Sequence, residues 1–150
     1  MADRTILLLH GPNLSQLGSR DPEHYGTAAL DDLVELAADT AAGHDATIQH
    51  LQSEHEGELI ERLHAARDDG TAAVIVNAGA LTHYSHALRD ALEILPDDLP
   101  VVEVHLSNIH AREEFRRTSV IAPACDGSIA GFGPLGYRHA VEACIGLLDT

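Results

Sequence analysis

Residues 100–117, PVVEVHLSNIHAREEFRR, decide how the rest of the chain is read. The stretch opens with Val101, Val102 and Val104, a β-branched run behind a proline, which predicts a short buried strand. Polar chemistry begins where that strand should end, with Glu103, His105, Ser107, Asn108, His110 and Arg112 inside residues 103–112. In an open parallel sheet, ligands bind just beyond the carboxyl ends of the strands. A lone histidine at a strand end is ordinarily a hydrogen-bonded structural residue. Glu103 changes that expectation, because strand side chains alternate and residues two apart share a face. A carboxylate beside His105 can orient the imidazole and hold it protonated, the equipment of a general acid.

Outward from this segment, the pattern of apolar run and polar turn recurs. Residues 5–9 (TILLL) and 72–76 (AAVIV) read as further buried strands, residues 46–51 as another, and residues 128–130 as a last short one. Helical spacing fills the gaps. Thr27 is placed to cap a helix with Asp31 and Asp32 in its first turn and Leu30, Leu33, Val34, Ala37 and Ala41 on one face. Ser53 and Glu56 have capping-box spacing before Leu59, Ile60 and Leu63. Thr82 or Ser85 can cap a helix carrying Leu88, Leu92 and Leu95, residues 111–117 read as a short helix, and Leu135, Val141, Cys144 and Leu148 supply an apolar face to a closing one. Five strands alternating with helices, without repeats, predict one α/β domain over residues 1–150. It is a flavodoxin-like, doubly wound, five-stranded parallel sheet of order 2-1-3-4-5 in three layers.

That topology brings the ends of strands 1, 3 and 4 together at the switch point. Asn13, Asn77, His83, His105, Ser107 and Arg112 then share one cleft. Residues 14–26, with Gly18, Pro22 and Gly26 and no sustained period, predict a long loop above it that carries Arg20 and Tyr25. The small residues after Asn77 would let a ligand approach the backbone. Residues 131–136, GFGPLG, match the dinucleotide fingerprint formally, but no strand with an acidic ribose ligand follows, and Gly133 with Pro134 reads better as helix initiation.

Composition narrows the chemistry. A net charge of −15 argues against nucleic acid and anionic membranes as partners. All nine basic residues are arginines, so a lysine Schiff base is excluded. Any anionic substrate must be held by local arginines and amides against the overall field. No stretch is long and apolar enough for a membrane span, and MADRTILLLHG lacks the features of a secretory leader, so a cytoplasmic location is expected. Cys125 and Cys144 are expected to be packing residues, and the scattered His44, His50, His55 and His64 form no metal-ligand pattern. A flavodoxin-like regulatory module is disfavoured because no acidic pair ends the first strand and no lysine is available. A metal-dependent hydrolase would need converging histidine ligands.

The segments HGPNLSQLGSRDPEHYG, NAGALTHYSHALRDAL and EVHLSNIHAREEFRR, with GFGPLGY as a weaker fourth, resemble in order and spacing the type II 3-dehydroquinate dehydratases. The resemblance implies reversible dehydration of 3-dehydroquinate to 3-dehydroshikimate through an enolate, by anti elimination, without metal or organic cofactor. It casts Tyr25 as the base, with Arg20 favouring its phenolate, and His105 as the acid with Glu103 beside it. Asn13 would position a water that stabilises the enolate. Asn77, His83 and Arg112 would hold the substrate's polar groups, and Ser107 with the Leu106 and Ser107 amides its carboxylate. Asp90 would reach a neighbouring subunit's site within a homododecamer built as a tetramer of trimers. Ser15, Gln16 and Ala80 depart from residues common in the family.

Overall fold

The computed structural model describes residues 4–150, so the first three residues of the segment MADRTILLLHG lie outside the described residues. Strands β1 (Arg4–His10), β2 (Ala46–Gln52), β3 (Thr71–Asn77), β4 (Val101–His105) and β5 (Gly127–Ala130) form one sheet. It is parallel throughout and ordered β2-β1-β3-β4-β5, as the alternation of elements predicts. Helices α1 (Pro22–Tyr25), α2 (Leu30–Ala42), α3 (Glu56–Ala66), α4 (His86–Glu93) and α5 (Leu135–Leu148) accompany it.

The pleat sorts the apolar side chains onto two faces. Ile6 and Leu8 of β1, Ile75 of β3 and Val104 of β4 pack with Leu33 and Ala37 of α2 and with Tyr137, Val141 and Cys144 of α5. Leu7, Leu9, Val74 and Val76 point the other way, against Leu59 and Leu63 of α3 and Leu88 and Leu92 of α4. Both sheet faces are therefore covered, and the inner strands are continuous apolar runs for that reason.

Local differences from the sequence expectations have physical causes. Thr27 does not cap α2. Ala29 stands at the cap, and the Asp32 carboxylate accepts from its backbone N–H at 2.9 Å, so the acid of the first turn satisfies the chain behind it. Ser53 and Glu56 do not form a capping box. Ser53 instead accepts from the His55 amide and donates to Glu58 at 2.7 Å, which frees Glu56 to accept from Ser85. Ser85 rather than Thr82 caps α4, accepting from the Leu88 amide at 3.0 Å. The proposed helix over residues 111–117 is two 3-10 turns, Ile109–Ala111 and Glu114–Arg117, with Asn108 capping the first. The long segment after β1 is partly ordered by a 3-10 turn, Leu14–Gln16, and by α1.

The turns after β1 and β3 interlock. A Cβ at Gly11 would lie 2.3 Å from the Ala78 carbonyl oxygen, and one at Gly79, where φ is +59°, would lie 2.9 Å from that of Pro12. The small residues after β3 thus serve first to let two backbones meet, although Gly79 and Ala80 also line the cleft. Because the Gly11 contact is with backbone, which cannot yield as a side-chain tip would, Gly11→Ala should destabilise the fold by about 3 kcal/mol or more. Denaturant titration checks this; a loss within about 0.5 kcal/mol, the range of an ordinary surface change, would show that the turns separate readily.

Candidate active site

The cleft opens where β1, β3 and β4 end, with a volume of about 590 Å³, solvent at its mouth included. Every cleft residue expected from the sequence is in its wall: Asn13 after β1, Asn77 at the end of β3, His83 in the following 3-10 turn, and His105, Leu106, Ser107 and Arg112 at and after β4. Arg20 and Tyr25 reach the same wall from the segment above. Asp90 does not. It lies on the exposed face of α4, outside the cleft of its own chain.

Glu103 and His105 share a face of β4, as alternation requires, and Glu103 Oε2 is 2.6 Å from His105 Nε2. Ser119 donates to the same oxygen at 2.8 Å and Ser128 to Oε1 at 3.0 Å. Burial opposes the charge on Glu103, which is 1% exposed. The hydrogen bond and charge of His105 together with the two serine hydroxyls outweigh that burial, holding the carboxyl below the usual carboxylate range. An ionised carboxylate only accepts, so His105 Nε2 carries a proton and Nδ1 is the atom left for the cleft.

His83 is oriented by a carbonyl. Its Nδ1 lies 2.8 Å from the Thr118 oxygen and must donate to it, leaving Nε2 as an acceptor. Burial, opposed by that hydrogen bond and reinforced by the neighbouring His105 and Arg116, lowers its pKa. Neutral His83 therefore sits beside His105, with ring centroids 6.4 Å apart.

Tyr25 is held by two guanidinium groups. Arg20 Nη2 donates to its hydroxyl at 2.8 Å while the Arg20 guanidinium carbon lies 3.9 Å from the ring centroid, and that of Arg112 lies 4.9 Å from it. Arg112 donates to Ser107 Oγ at 3.2 Å, and its buried Nε has no hydrogen-bond partner among the described residues. Arg116 completes the cationic wall. Three arginines and two histidines line the cleft and no carboxylate does, so a site inside a chain of net charge −15 is locally suited to an anion.

Several supporting residues escaped the sequence reading. Ser128 pairs with Glu103 in the β4–β5 register, which could point to it once strand order was assumed, but Ser119 carries no such signal. Glu54, exposed after β2, accepts from the Asn13 amide at 2.9 Å, from Ser15 at 2.9 Å and from Gln52 at 2.7 Å. It thereby holds Asn13 in the left-handed region, φ 70°. His10 and Tyr137 lie behind Asn77. Tyr137 accepts from Asn77 Nδ2 at 2.9 Å and its hydroxyl lies 2.8 Å from His10 Nε2.

Fold and cleft together define a doubly wound α/β protein with an acid–base site for a small anion. The chain belongs to the class II dehydroquinases, since the profile of the family described as "Dehydroquinase class II" matches residues 4–145. It is 51% identical over 145 residues to a 3-dehydroquinate dehydratase of Leptothrix cholodnii, covering 97% of this chain and 96% of that one. It is 52% identical over 136 residues to one of Thermus thermophilus, covering 91% and 90%. The crystal structure of a type II dehydroquinase from Butyrivibrio crossotus superposes with a TM-score of 0.91 at 39% identity, over 95% of this chain and 97% of that one.

The site has a pH-dependent support. Burial, reinforced by the nearby His50, pushes the His10 pKa from 6.5 down to about 3. Between these values the unfolded chain binds the extra proton, so stability is complete above the unfolded pKa and is lost as pH falls toward the folded one. From about pH 6.5 to about pH 5, largely above the carboxylate range, His10 alone should cost about 2 kcal/mol. Thermal unfolding of the native chain and of His10→Gln should show a flatter slope in the variant; equal slopes would mean that His10 is not held neutral.

Proposed function

We propose that the chain catalyses the reversible dehydration of 3-dehydroquinate to 3-dehydroshikimate by anti elimination through an enolate. The observation that carries this reading is the pairing, in one carboxylate-free cleft, of a Glu103-backed His105 with an Arg20-bonded Tyr25. Elimination needs a base for the proton α to the carbonyl and an acid for the departing hydroxyl. Tyr25 is the base, with the Arg20 guanidinium at the oxygen where negative charge must reside. His105 is the acid: its Nδ1 proton passes to the leaving hydroxyl, which departs as water, and the Glu103 carboxylate supplies the imidazolium's counter-charge. After turnover Tyr25 holds one proton more and His105 one fewer, and exchange with solvent resets both.

The remaining polar groups bind and orient. Ser107 and the Leu106 and Ser107 amides receive the substrate carboxylate. Arg112, Asn77 and His83 take its hydroxyl and carbonyl-side groups, and the neutral Nε2 of His83 is suited to accept from a hydroxyl. Asn13 positions a water against the enolate oxygen. No imine is available to a chain without lysine, and no metal or organic cofactor is needed. Asp90, exposed on α4, reaches the site of a neighbouring subunit in trimers that assemble as a dodecamer. The chain works as one cytoplasmic domain, and its chemistry serves shikimate synthesis and quinate breakdown alike.

Incubation with dehydroquinate should produce the ultraviolet absorbance of a conjugated enone, and activity should survive borohydride added with substrate. Tyr25→Phe should lower kcat by about 100-fold or more with KM changed little, because a general base acts in the transition state. Loss of activity to borohydride would contradict the enolate route, and near-full turnover in Tyr25→Phe would remove Tyr25 as the base.

A further inference from the structure

Behind Asn77 runs a chain of polar side chains that the proposed reaction does not use. Asn77 Nδ2 lies 2.9 Å from the Tyr137 hydroxyl, that hydroxyl 2.8 Å from His10 Nε2, and His10 Nδ1 2.9 Å from His50 Nε2. His10 and Tyr137 have no exposed surface, Asn77 is 3% exposed, and His50 lies on the surface. The four residues come from β1, β2, β3 and α5.

The direction of every bond in this chain follows from one backbone donor. The Gly79 amide donates to Asn77 Oδ1, at 3.3 Å. Turning the Asn77 amide over would set its NH2 group against the Gly79 N–H, two donors face to face. Oδ1 therefore stays toward Gly79 and Nδ2 donates to Tyr137. The phenol, un-ionised because burial raises its pKa, has a single proton, and His10 Nε2 is the acceptor within reach. His10 must then be the neutral tautomer with its proton on Nδ1, donating to His50. Each donor is matched to one acceptor, so the arrangement has one satisfied form. In that form Asn77 keeps one Nδ2 proton free of protein partners among the described residues, at the wall of the cleft.

We propose that Tyr137 and His10 are positioning residues that act through Asn77: the Gly79 N–H sets the sense of its amide, and the Tyr137 hydroxyl, backed by His10, anchors the Nδ2 end so that its remaining N–H donor is presented to the substrate. A buried phenol could have been a phenylalanine at less risk of an unsatisfied hydroxyl, and a histidine held neutral at the end of β1 gives stability that is lost in acid. Their shared consequence is a fixed Asn77. The inference rests on the placing of Asn77 in substrate binding argued above.

The test is a double-mutant cycle with dehydroquinate as substrate, reading KM and kcat for Tyr137→Phe, Asn77→Ala and the pair. Asn77→Ala should raise KM. Tyr137→Phe, nearly isosteric, should raise KM roughly fivefold or more with a smaller change in kcat, because a misoriented amide leaves a buried polar group unpaired. In the Asn77→Ala background the same change should have no further effect on KM. Undiminished effects that multiply, or an unaltered KM in Tyr137→Phe alone, would overturn the inference. An unaltered KM in Asn77→Ala would overturn the binding role of Asn77 itself, and the inference with it. Should Tyr137→Phe fail to fold, His10→Leu cuts the same chain one bond further out, and the same absence of effect in the Asn77→Ala background is expected, with multiplying effects again overturning it.

Discussion

A carboxylate with almost no exposed surface must be surrounded by donors, and the three that surround Glu103 tie the structure together. Desolvating an ionised carboxyl costs several kcal/mol unless its charge is compensated. Here compensation comes from His105 on the same strand, from Ser128 across the β4–β5 pairing and from Ser119 in the connection between those strands. The requirement to satisfy Glu103 therefore links the short edge strand, the loop preceding it and the imidazole of the cleft. His105 is left with its other nitrogen for the cleft and with a counter-charge behind it.

The second constraint is electrostatic and concerns the molecule as a whole. A chain with 24 acidic and nine basic residues repels an anion on average. The cleft reverses this locally by taking Arg20, Arg112 and Arg116 into one wall and keeping every carboxylate out of it. Glu103 fits the pattern because it stands behind His105 rather than in the cleft. Two of these guanidinium groups, those of Arg20 and Arg112, also embrace Tyr25, so part of the cluster that would attract substrate contacts the proposed base.

Much of the fold was legible because buried parallel strands are continuous apolar runs, and strand alternation alone put Glu103 beside His105. The cleft residues followed from the switch point. Legibility failed where a partner is remote in sequence. Nothing local to Ser119 announces the Glu103 carboxylate, and nothing near His10 announces a phenol 127 residues away. Glu54 reads as an ordinary exposed acid until β2 is laid beside β1 and its carboxylate meets the Asn13 amide. Helix starts failed differently. Thr27 and Ser53 have the right chemistry for caps, but the helices begin behind Ala29 and His55, where Asp32 accepts from the Ala29 amide and Glu58 takes the Ser53 hydroxyl, a competition that capping rules based on spacing do not rank.

The most direct measurement is the turnover of His105→Ala with dehydroquinate. A general acid that acts in the transition state should, when removed, lower kcat by about 100-fold or more while KM stays within a few-fold. The reverse pattern, a raised KM with kcat preserved, would make His105 a binding residue and contradict the account of the cleft as an acid–base site built on Glu103.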